Sequence, residues 1–249
     1  MINLTPQQRL VIAADFKPDE ESGRAGVRQK VLRLAGQLKG TGFVLKMNSA
    51  LRACGYELLD EVHSRGLATF VDLKLIDIPE TMETDGAFLR ESKPEFLTTM
   101  AFSYFEGMRR LKGMLPETKV LGVTVLTSFT DKDLEGLFNV ALRVPDTVLR
   151  LARLSQVAGL DGVICSPAEA VMVRAQMGED FLIFTPGVRF DDVQVVGDDQ
   201  NPERVMTPWR AIKCGANGIV MGRPIVQASN PRLAAERAYA EILEACRAS

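Results

Sequence analysis

The sequence predicts a single (β/α)8 barrel, in which eight parallel strands alternate with helices. Eight short apolar runs recur along the chain, and amphipathic stretches of helical period separate them. Several of the runs are continuously apolar, which is typical of parallel strands that are covered on both faces. A chain of 249 residues also has about the length that such a barrel needs.

Each predicted strand is one apolar run, and each predicted helix lies in the stretch after it. The strands are expected at residues 10–14, 43–47, 69–73, 96–101, 120–126, 162–165, 181–185 and 218–221. Two helical stripes are formed by Val27, Val31, Leu34, Ala35 and Leu38, and by Leu233, Ala234, Ala238 and Ile242. Four prolines stand early in predicted helices, where the missing N–H breaks no hydrogen bond: Pro79, Pro167, Pro208 and Pro224.

A doubly wound open sheet is the competing architecture for this pattern. The first strand is followed by Asp15, Phe16 and Lys17 rather than by the glycine-rich turn that this architecture uses. No linker rich in proline, glycine or serine divides the chain. We therefore expect one domain over residues 1–249.

The overall composition limits the partners. Thirty Lys and Arg residues against 32 Asp and Glu residues leave a formal net charge of −2, which gives no reason to expect nucleic acid or an anionic membrane. The longest apolar runs are too short to cross a bilayer. The four cysteines make no CxxC pair and the N-terminus shows no secretory leader, so we expect reduced thiols in a cytoplasmic protein.

The chain has one histidine, His63. Sites that need two histidines are therefore excluded, which removes most zinc hydrolases and facial-triad enzymes. His63 lies in a predicted helical stretch over residues 57–65, and we expect it to pack or to lie at the surface. The chemistry must depend mainly on other side chains.

Charged residues stand at the ends of the first three predicted strands: Asp15, Lys46, Asp72, Lys74 and Asp77. Reactive residues of these barrels lie at the C-terminal ends of strands. In a regular strand Asp72 and Lys74 project to the same face. A surface ion pair would explain these two alone, but with Asp15 and Lys46 they form an alternating array in which neighbouring charges keep the lysines protonated.

An anion site is predicted after the seventh and eighth strands, where such barrels commonly bind phosphate. Gly187 and Gly222 would let the backbone approach the anion, and Arg189 and Arg223 would bind it through paired hydrogen bonds. Residues 190–206 lack apolar periodicity, as a lid or an acidic surface loop would. Their position after Arg189 favours a lid, placed around residues 188–205.

Four segments resemble the orotidine 5′-phosphate decarboxylase family, in particular its bacterial form, over nearly the whole chain. They are Asp-Leu-Lys-Leu-Ile-Asp-Ile-Pro-Glu-Thr at 72–81, Val-Thr-Val-Leu-Thr-Ser at 123–128, Thr-Pro-Gly-Val-Arg at 185–189 and Met-Gly-Arg-Pro-Ile at 221–225. The resemblance implies decarboxylation of orotidine 5′-phosphate to UMP in de novo pyrimidine biosynthesis. It also implies that neither a cofactor nor a metal takes part.

The resemblance also implies a role for each matched residue. Lys74 would protonate C6 as carbon dioxide leaves, Asp72 would lie beside the departing carboxylate, and Lys46 and Asp77 would complete the charged array. The expected substrate contacts are Asp15 and Lys46 with the ribose, Thr127 or Ser128 with the pyrimidine, Arg189, Gly222 and Arg223 with the phosphate, and Gln200 with the phosphate from the lid. Asp77 and Thr81 would act across a homodimer interface.

Two segments depart from the family pattern. Residues 100–106 stand where the family usually has a histidine and a pair of glycines, and residues 47–49 lack the glycine that usually follows the second-strand lysine. Two other functions are weighed. A magnesium-dependent sugar-phosphate decarboxylase or aldolase of the same barrel type would lack the matches at 78–81 and 185–187. A catalytically silent paralogue that binds pyrimidine nucleotides is disfavoured because Lys46, Asp72, Lys74 and Asp77 are all present.

Overall fold

A computed structural model describes residues 4–192 and 206–248 and shows eight parallel strands that close into a barrel. The strands are β1 (Leu10–Ala13), β2 (Val44–Met47), β3 (Ala68–Leu75), β4 (Phe96–Met100), β5 (Lys119–Val123), β6 (Gly162–Ile164), β7 (Leu182–Thr185) and β8 (Gly218–Met221). Each pairs with its neighbour in the sequence, and β1 pairs with β8. The predicted fold class is confirmed, because this closure excludes an open sheet.

The helices lie between the strands and after the last one. They are α1 (Gly23–Gln37), α2 (Ser49–Cys54), α3 (Glu57–His63), α4 (Pro79–Ser92), α5 (Tyr104–Met114), α6 (Asp131–Phe138), α7 (Val144–Val157), α8 (Pro167–Met177), α9 (Pro208–Lys213), α10 (Arg223–Val226) and α11 (Pro231–Arg247). Pro79, Pro167, Pro208 and Pro224 each stand in the first two positions of a helix, as predicted.

One predicted helical stripe is partly wrong. Leu233 was expected on the buried face of the last helix, but it is 61% exposed. Successive residues of a helix point about 100° apart, so Leu233 and Ala234 cannot share one narrow face. The residues of α11 that face the core are Pro231, Ala235, Ala238, Ile242 and Ala245.

The fifth predicted strand is too long. The prediction extends to residue 126, whereas β5 ends at Val123. Both the amide and the hydroxyl of Thr124 donate to the Ile164 carbonyl, at 3.2 and 2.9 Å, and the chain then turns at Leu126, whose carbonyl accepts the Phe129 amide. Val125 is buried although it is outside the strand. An apolar run indicates burial and does not by itself show where strand pairing stops.

Aromatic side chains fill the inside of the barrel. The rings of Phe70, Phe96 and Phe184 contact one another with centroids 5.2 to 6.4 Å apart, and we call them the aromatic layer. Gly218 makes room for this layer, since a Cβ there would lie 2.3 Å from the ring of Phe184. The lumen is therefore closed by side chains, and open space remains only beyond the layer.

His63 lies at the N-terminal end of the barrel. Its Nε2 is 3.2 Å from the Glu95 carboxylate, just before β4, and 3.0 Å from the Thr69 hydroxyl, near the start of β3. The side chain is half-buried there. No disulfide joins any of the four cysteines. Within residues 4–192 and 206–248, no helix has both the length and the apolar character needed to span a membrane.

Candidate active site

A cavity of about 820 Å³ opens at the C-terminal ends of the strands, and we call it the mouth cavity. Phe70, from the aromatic layer, forms part of its apolar lining together with Val123, Ile164 and Val220. Charged and polar side chains from the strand ends and the following loops complete the lining. They include Asp15, Lys46, Asp72, Lys74, Thr127, Arg189 and Arg223. A cavity of this size and mixed character suits a small organic anion.

Four of these side chains form a continuous ionic chain, which we call the charged array. Lys46 Nζ lies 2.9 Å from Asp15 Oδ2 and 2.9 Å from Asp72 Oδ2. Lys74 Nζ lies 2.8 Å from the same Asp72 oxygen. The structure thus brings together four charges that are up to 59 positions apart in the sequence, from residue 15 to residue 74. Asp72 is the centre, because it holds both ammonium groups.

Burial alone would disfavour the charged forms in the middle of the array. It acts to lower the pKa of Lys46, but the charges of Asp72 and Asp15 outweigh it, and the pKa of Lys46 is raised. Burial likewise acts to raise the pKa of Asp72, but Lys46 and Lys74 outweigh it, and the pKa of that carboxyl is lowered. Both groups therefore remain ionised at neutral pH.

Lys74 reaches Asp72 through an irregular strand. Between Val71 and Leu75 the register of β3 against β4 shifts, and Lys74 has a φ of +50°. The spacing of two residues predicts that the two side chains share a face, as they would in a regular strand. They do meet, but in a strand segment that is not regular.

Thr98 belongs to the site but is not among the residues predicted from the sequence. It is the third residue of β4, its side chain is buried, and its hydroxyl donates to Asp72 Oδ1 at 2.9 Å. The signal was present in the sequence, because Thr98 and Thr99 are adjacent hydroxyl residues within an otherwise apolar run at 96–101. A buried hydroxyl needs a hydrogen-bond partner, and for Thr98 that partner is Asp72 on the neighbouring strand β3.

The predicted anion residues line the same cavity. Arg189 and Gly187 follow β7, while Gly222 and Arg223 follow β8. Gly187 has a φ of +78°, which favours glycine. Gly222 does not have a positive φ, and a Cβ there would lie at an ordinary 3.5 Å from Ala13. Glycine at 222 is therefore not required by the packing of the protein itself.

The two ends of the predicted lid region are joined by backbone hydrogen bonds. The Arg189 amide donates to the Met206 carbonyl at 3.0 Å, and the Met206 amide donates to the Gly187 carbonyl at 3.4 Å. Arg237 on α11 lies over the ring of Phe190, 4.1 Å from its centroid, and binds Asp192. Arg189 is therefore held close to the mouth cavity. Gln200 lies outside the residues that the structure describes.

The remaining predicted residues divide into two groups. Thr127 lines the mouth cavity, whereas Ser128 is exposed and does not. Asp77 and Thr81 do not line the cavity of their own chain. Asp77 is exposed and accepts the Ile78 amide at 2.7 Å.

Large apolar side chains are exposed on both sides of Asp77 in the sequence and in two later elements. Ile76 is 56% exposed and Ile78 is 65% exposed, on either side of it in the sequence. Across the following elements Phe102 and Phe138 stack with ring centroids 5.8 Å apart, and both are at least 40% exposed. We call these four residues the apolar patch. Large apolar side chains that are exposed in this way are typical of a protein interface.

Within the described residues, 4–192 and 206–248, no group of three or more His, Cys, Asp or Glu side chains is placed to hold a metal ion. The mouth cavity instead carries a mixed set of cations and carboxylates, with the cations of Lys46, Lys74, Arg189 and Arg223 in excess over Asp15 and Asp72. Such a lining favours an anionic ligand.

Comparison with known proteins gives consistent results. The family model described as orotidine 5′-phosphate decarboxylase / HUMPS family matches residues 8–238. Orotidine 5′-phosphate decarboxylase of Saccharophagus degradans is 34% identical over 249 residues, covering 96% of this chain and 97% of the relative. The protein of the same name from Methylobacterium sp. (strain 4-46) is 36% identical, covering 97% and 98%. The crystal structure of orotidine 5′-phosphate decarboxylase from Lactobacillus acidophilus matches with a TM-score of 0.77 at 29% identity, covering 94% of this chain and 99% of that chain.

Proposed function

The chain belongs to the orotidine 5′-phosphate decarboxylase / HUMPS family, and we propose on that basis that it decarboxylates orotidine 5′-phosphate to UMP in pyrimidine biosynthesis. One observation carries the proposal. The charged array and the arginines that follow β7 and β8 line a single cavity of nucleotide size. The relatives reported above carry the decarboxylase name, which does not favour the magnesium-dependent sugar-phosphate alternative.

The reaction breaks the bond between C6 of the pyrimidine and its carboxylate. Carbon dioxide leaves, the electron pair remains on C6, and a proton from Lys74 Nζ forms the new C–H bond. The cation of Lys74 stabilises the negative charge as it develops, because it is already held in place and needs no reorganisation. Its side chain is 31% exposed, so the neutral amine can be reprotonated from solvent.

Asp72 supports this step from the centre of the array. It holds Lys74 Nζ at 2.8 Å and Lys46 Nζ at 2.9 Å, which places two cations at the apolar end of the cavity. Its own carboxylate would lie beside the carboxylate of the substrate, and carbon dioxide departure removes that repulsion. Lys46 keeps Asp72 ionised throughout, since the ion pair between them is buried.

The other end of the cavity binds the part of the substrate that does not react. Arg189, Arg223 and the backbone of Gly222 would hold the phosphate, and Gln200 would close on it from the lid around residues 188–205. Asp15 and Lys46 would contact the ribose hydroxyls, and Thr127 the pyrimidine. Binding energy from the phosphate can then be used to hold the pyrimidine against Lys74.

We also propose that the enzyme is a cytoplasmic homodimer with shared sites. The support is the position of Asp77 and Thr81, which do not line the cavity of their own chain. Asp77 stands in the sequence between Ile76 and Ile78, two exposed residues of the apolar patch. If this patch packs against a second copy, Asp77 and Thr81 are brought to the partner's mouth cavity. A cytoplasmic location suits a pathway of water-soluble nucleotides.

The proposal is tested by following the absorbance of orotidine 5′-phosphate with the purified chain in the presence of EDTA. We expect the substrate absorbance to be lost at the same rate with and without the chelator. Turnover that stops with EDTA and returns with magnesium would point to the sugar-phosphate alternative. Tight binding of UMP without turnover would point to a silent nucleotide-binding paralogue.

A further inference from the structure

The hydroxyl of Thr98 connects two parts of the charged array. Thr98 Oγ1 lies 2.9 Å from Asp72 Oδ1 and 3.0 Å from the backbone nitrogen of Lys74. The side chain is only 1% exposed, and it does not line the mouth cavity. Thr98 therefore acts on the site from behind, without access to a bound ligand.

The direction of these two hydrogen bonds is fixed by chemistry. The amide of Lys74 can only donate, and the ionised carboxylate of Asp72 can only accept. The hydroxyl must therefore accept from the Lys74 N–H and donate its single proton to Asp72 Oδ1. The other Asp72 oxygen, Oδ2, holds both lysines. Thr98 thus fixes the rotation of the carboxylate that positions the ammonium groups.

The same hydroxyl supports an unusual backbone. Val71 pairs with Leu97 and Leu75 pairs with Thr99, so four steps along β3 match two steps along β4. The two additional residues of β3 form a bulge, and Lys74 within it has a φ of +50°. This conformation is unfavourable for lysine. The ladder bond that a regular strand would give the Lys74 amide is replaced by the side chain of Thr98.

We propose that Thr98 is a positioning residue for decarboxylation, which orients the Asp72 carboxylate and the bulge of β3 so that Lys74 is aimed at C6. The inference rests on the proposed function. It assigns no contact with substrate to Thr98. Its effect passes through Asp72 and the Lys74 backbone, so its loss should slow the chemical step and leave ground-state binding unchanged.

The test compares Thr98→Val with Thr98→Ser. Valine has nearly the shape of threonine but can neither accept nor donate, whereas serine retains the hydroxyl. We expect Thr98→Val to lower kcat by about 10- to 100-fold, as misplacement of a catalytic group does, with KM and the affinity for UMP within about threefold of wild type. Thr98→Ser should restore most of kcat. If Thr98→Val is insoluble, Thr98→Cys replaces it, and the same loss is expected from its weak hydrogen bonds.

Two controls separate positioning from general stability. Thr118 is a buried threonine at the opposite end of the barrel, where its hydroxyl donates to the Pro94 carbonyl. Thr118→Val should lower Tm as Thr98→Val does, with kcat unchanged. The second control adds Thr98→Val to Asp72→Asn. Because Thr98 acts in part through Asp72, its substitution should lower kcat by a smaller factor in that background than in wild type.

The outcomes distinguish the two proposals. A wild-type chain that does not decarboxylate orotidine 5′-phosphate overturns the function and this inference with it. An active wild type with a Thr98→Val kcat within about twofold overturns the positioning role alone. A kcat loss of equal size in the wild-type and Asp72→Asn backgrounds overturns the claim that Thr98 orients the Asp72 carboxylate, since the loss would then not pass through Asp72.

Discussion

Lys74 combines a chemical role with a backbone conformation that lysine rarely adopts. Four non-glycine residues in the described part of the chain have a positive φ: Lys74, Lys93, Tyr104 and Asn139. Lys93 and Asn139 end helices α4 and α6, where left-handed residues are common. Lys74 is inside a strand and lines the mouth cavity. Strain at such a position is typical of functional sites, because the surrounding structure must hold it.

The chain offers a matched pair of lysines to test this residue. We expect Lys74→Ala to remain folded and to lose about 10⁴-fold or more in kcat, because both the proton donor and its cation are removed. Lys93→Ala makes the same change at a φ of +47°, on the exposed end of α4. It should leave kcat unchanged. Substantial turnover by Lys74→Ala, in a steady-state assay, would contradict the role of Lys74 as proton donor.

Tyr104 has a positive φ that its residue type does not indicate. It lies in the segment where the family usually has a pair of glycines, yet its φ is +60°. Its side chain is 71% exposed. Residue identity alone therefore could not predict this conformation, because tyrosine gives no signal for a positive φ.

At the level of single elements, the N-terminal ends of β3 and β4 are tied to α3 by one polar cluster. Glu95 Oε2 accepts the Thr69 amide at 2.7 Å and lies 3.2 Å from His63 Nε2. The hydrogen bond to Glu95 is the main reason that the pKa of His63 is raised above 6.5. Helix and strands are thus joined through an imidazole whose pKa is raised by the carboxylate that it contacts.

This cluster predicts a pH dependence of stability. A raised folded pKa means that the charged pair stabilises the protein fully below the unfolded pKa, and that this contribution is lost as pH rises through the folded pKa. We expect the Tm of wild type to fall more than that of His63→Gln as the pH rises above 6.5. Equal slopes for the two proteins in thermal denaturation would show that the pair does not contribute.

The elements also show what sequence can and cannot predict. All eight strands were predicted, because each is an apolar run with buried residues. The end of β5 and the outward position of Leu233 were not, since apolar character reports burial only approximately. At the site, Asp15, Lys46, Asp72 and Lys74 could be named from strand ends, but the bulge of β3 and the bond to Thr98 depend on register between strands.

At the scale of the whole molecule, the proposed homodimer makes a quantitative prediction. Lys74→Ala and Asp77→Ala proteins should each be nearly inactive. In an equal mixture with free exchange, half of the dimers are hybrids, and each hybrid has one site with both residues intact. Mixing should therefore restore about one quarter of wild-type activity. The measurement is the initial rate after the two proteins have been incubated together.

The matched control mixes Lys74→Ala with Asp72→Ala. These residues contact each other within one chain, so a hybrid dimer has a damaged residue in both sites. No activity should return. Restoration by this second mixture, or none by the first, would contradict a shared site. Size-exclusion chromatography of each mixture shows whether the chains associate.

The aromatic layer of Phe70, Phe96 and Phe184 also separates two regions of the molecule, which can be substituted for different purposes. The side chains of the charged array, with Thr127, Arg189 and Arg223, line the cavity on one side of it, and His63 with its partners lies on the other. Substitutions on the His63 side of the layer can raise the thermal stability of the protein without contacting the nucleotide. In directed evolution, residues on the His63 side of the layer can therefore be randomised while turnover is kept.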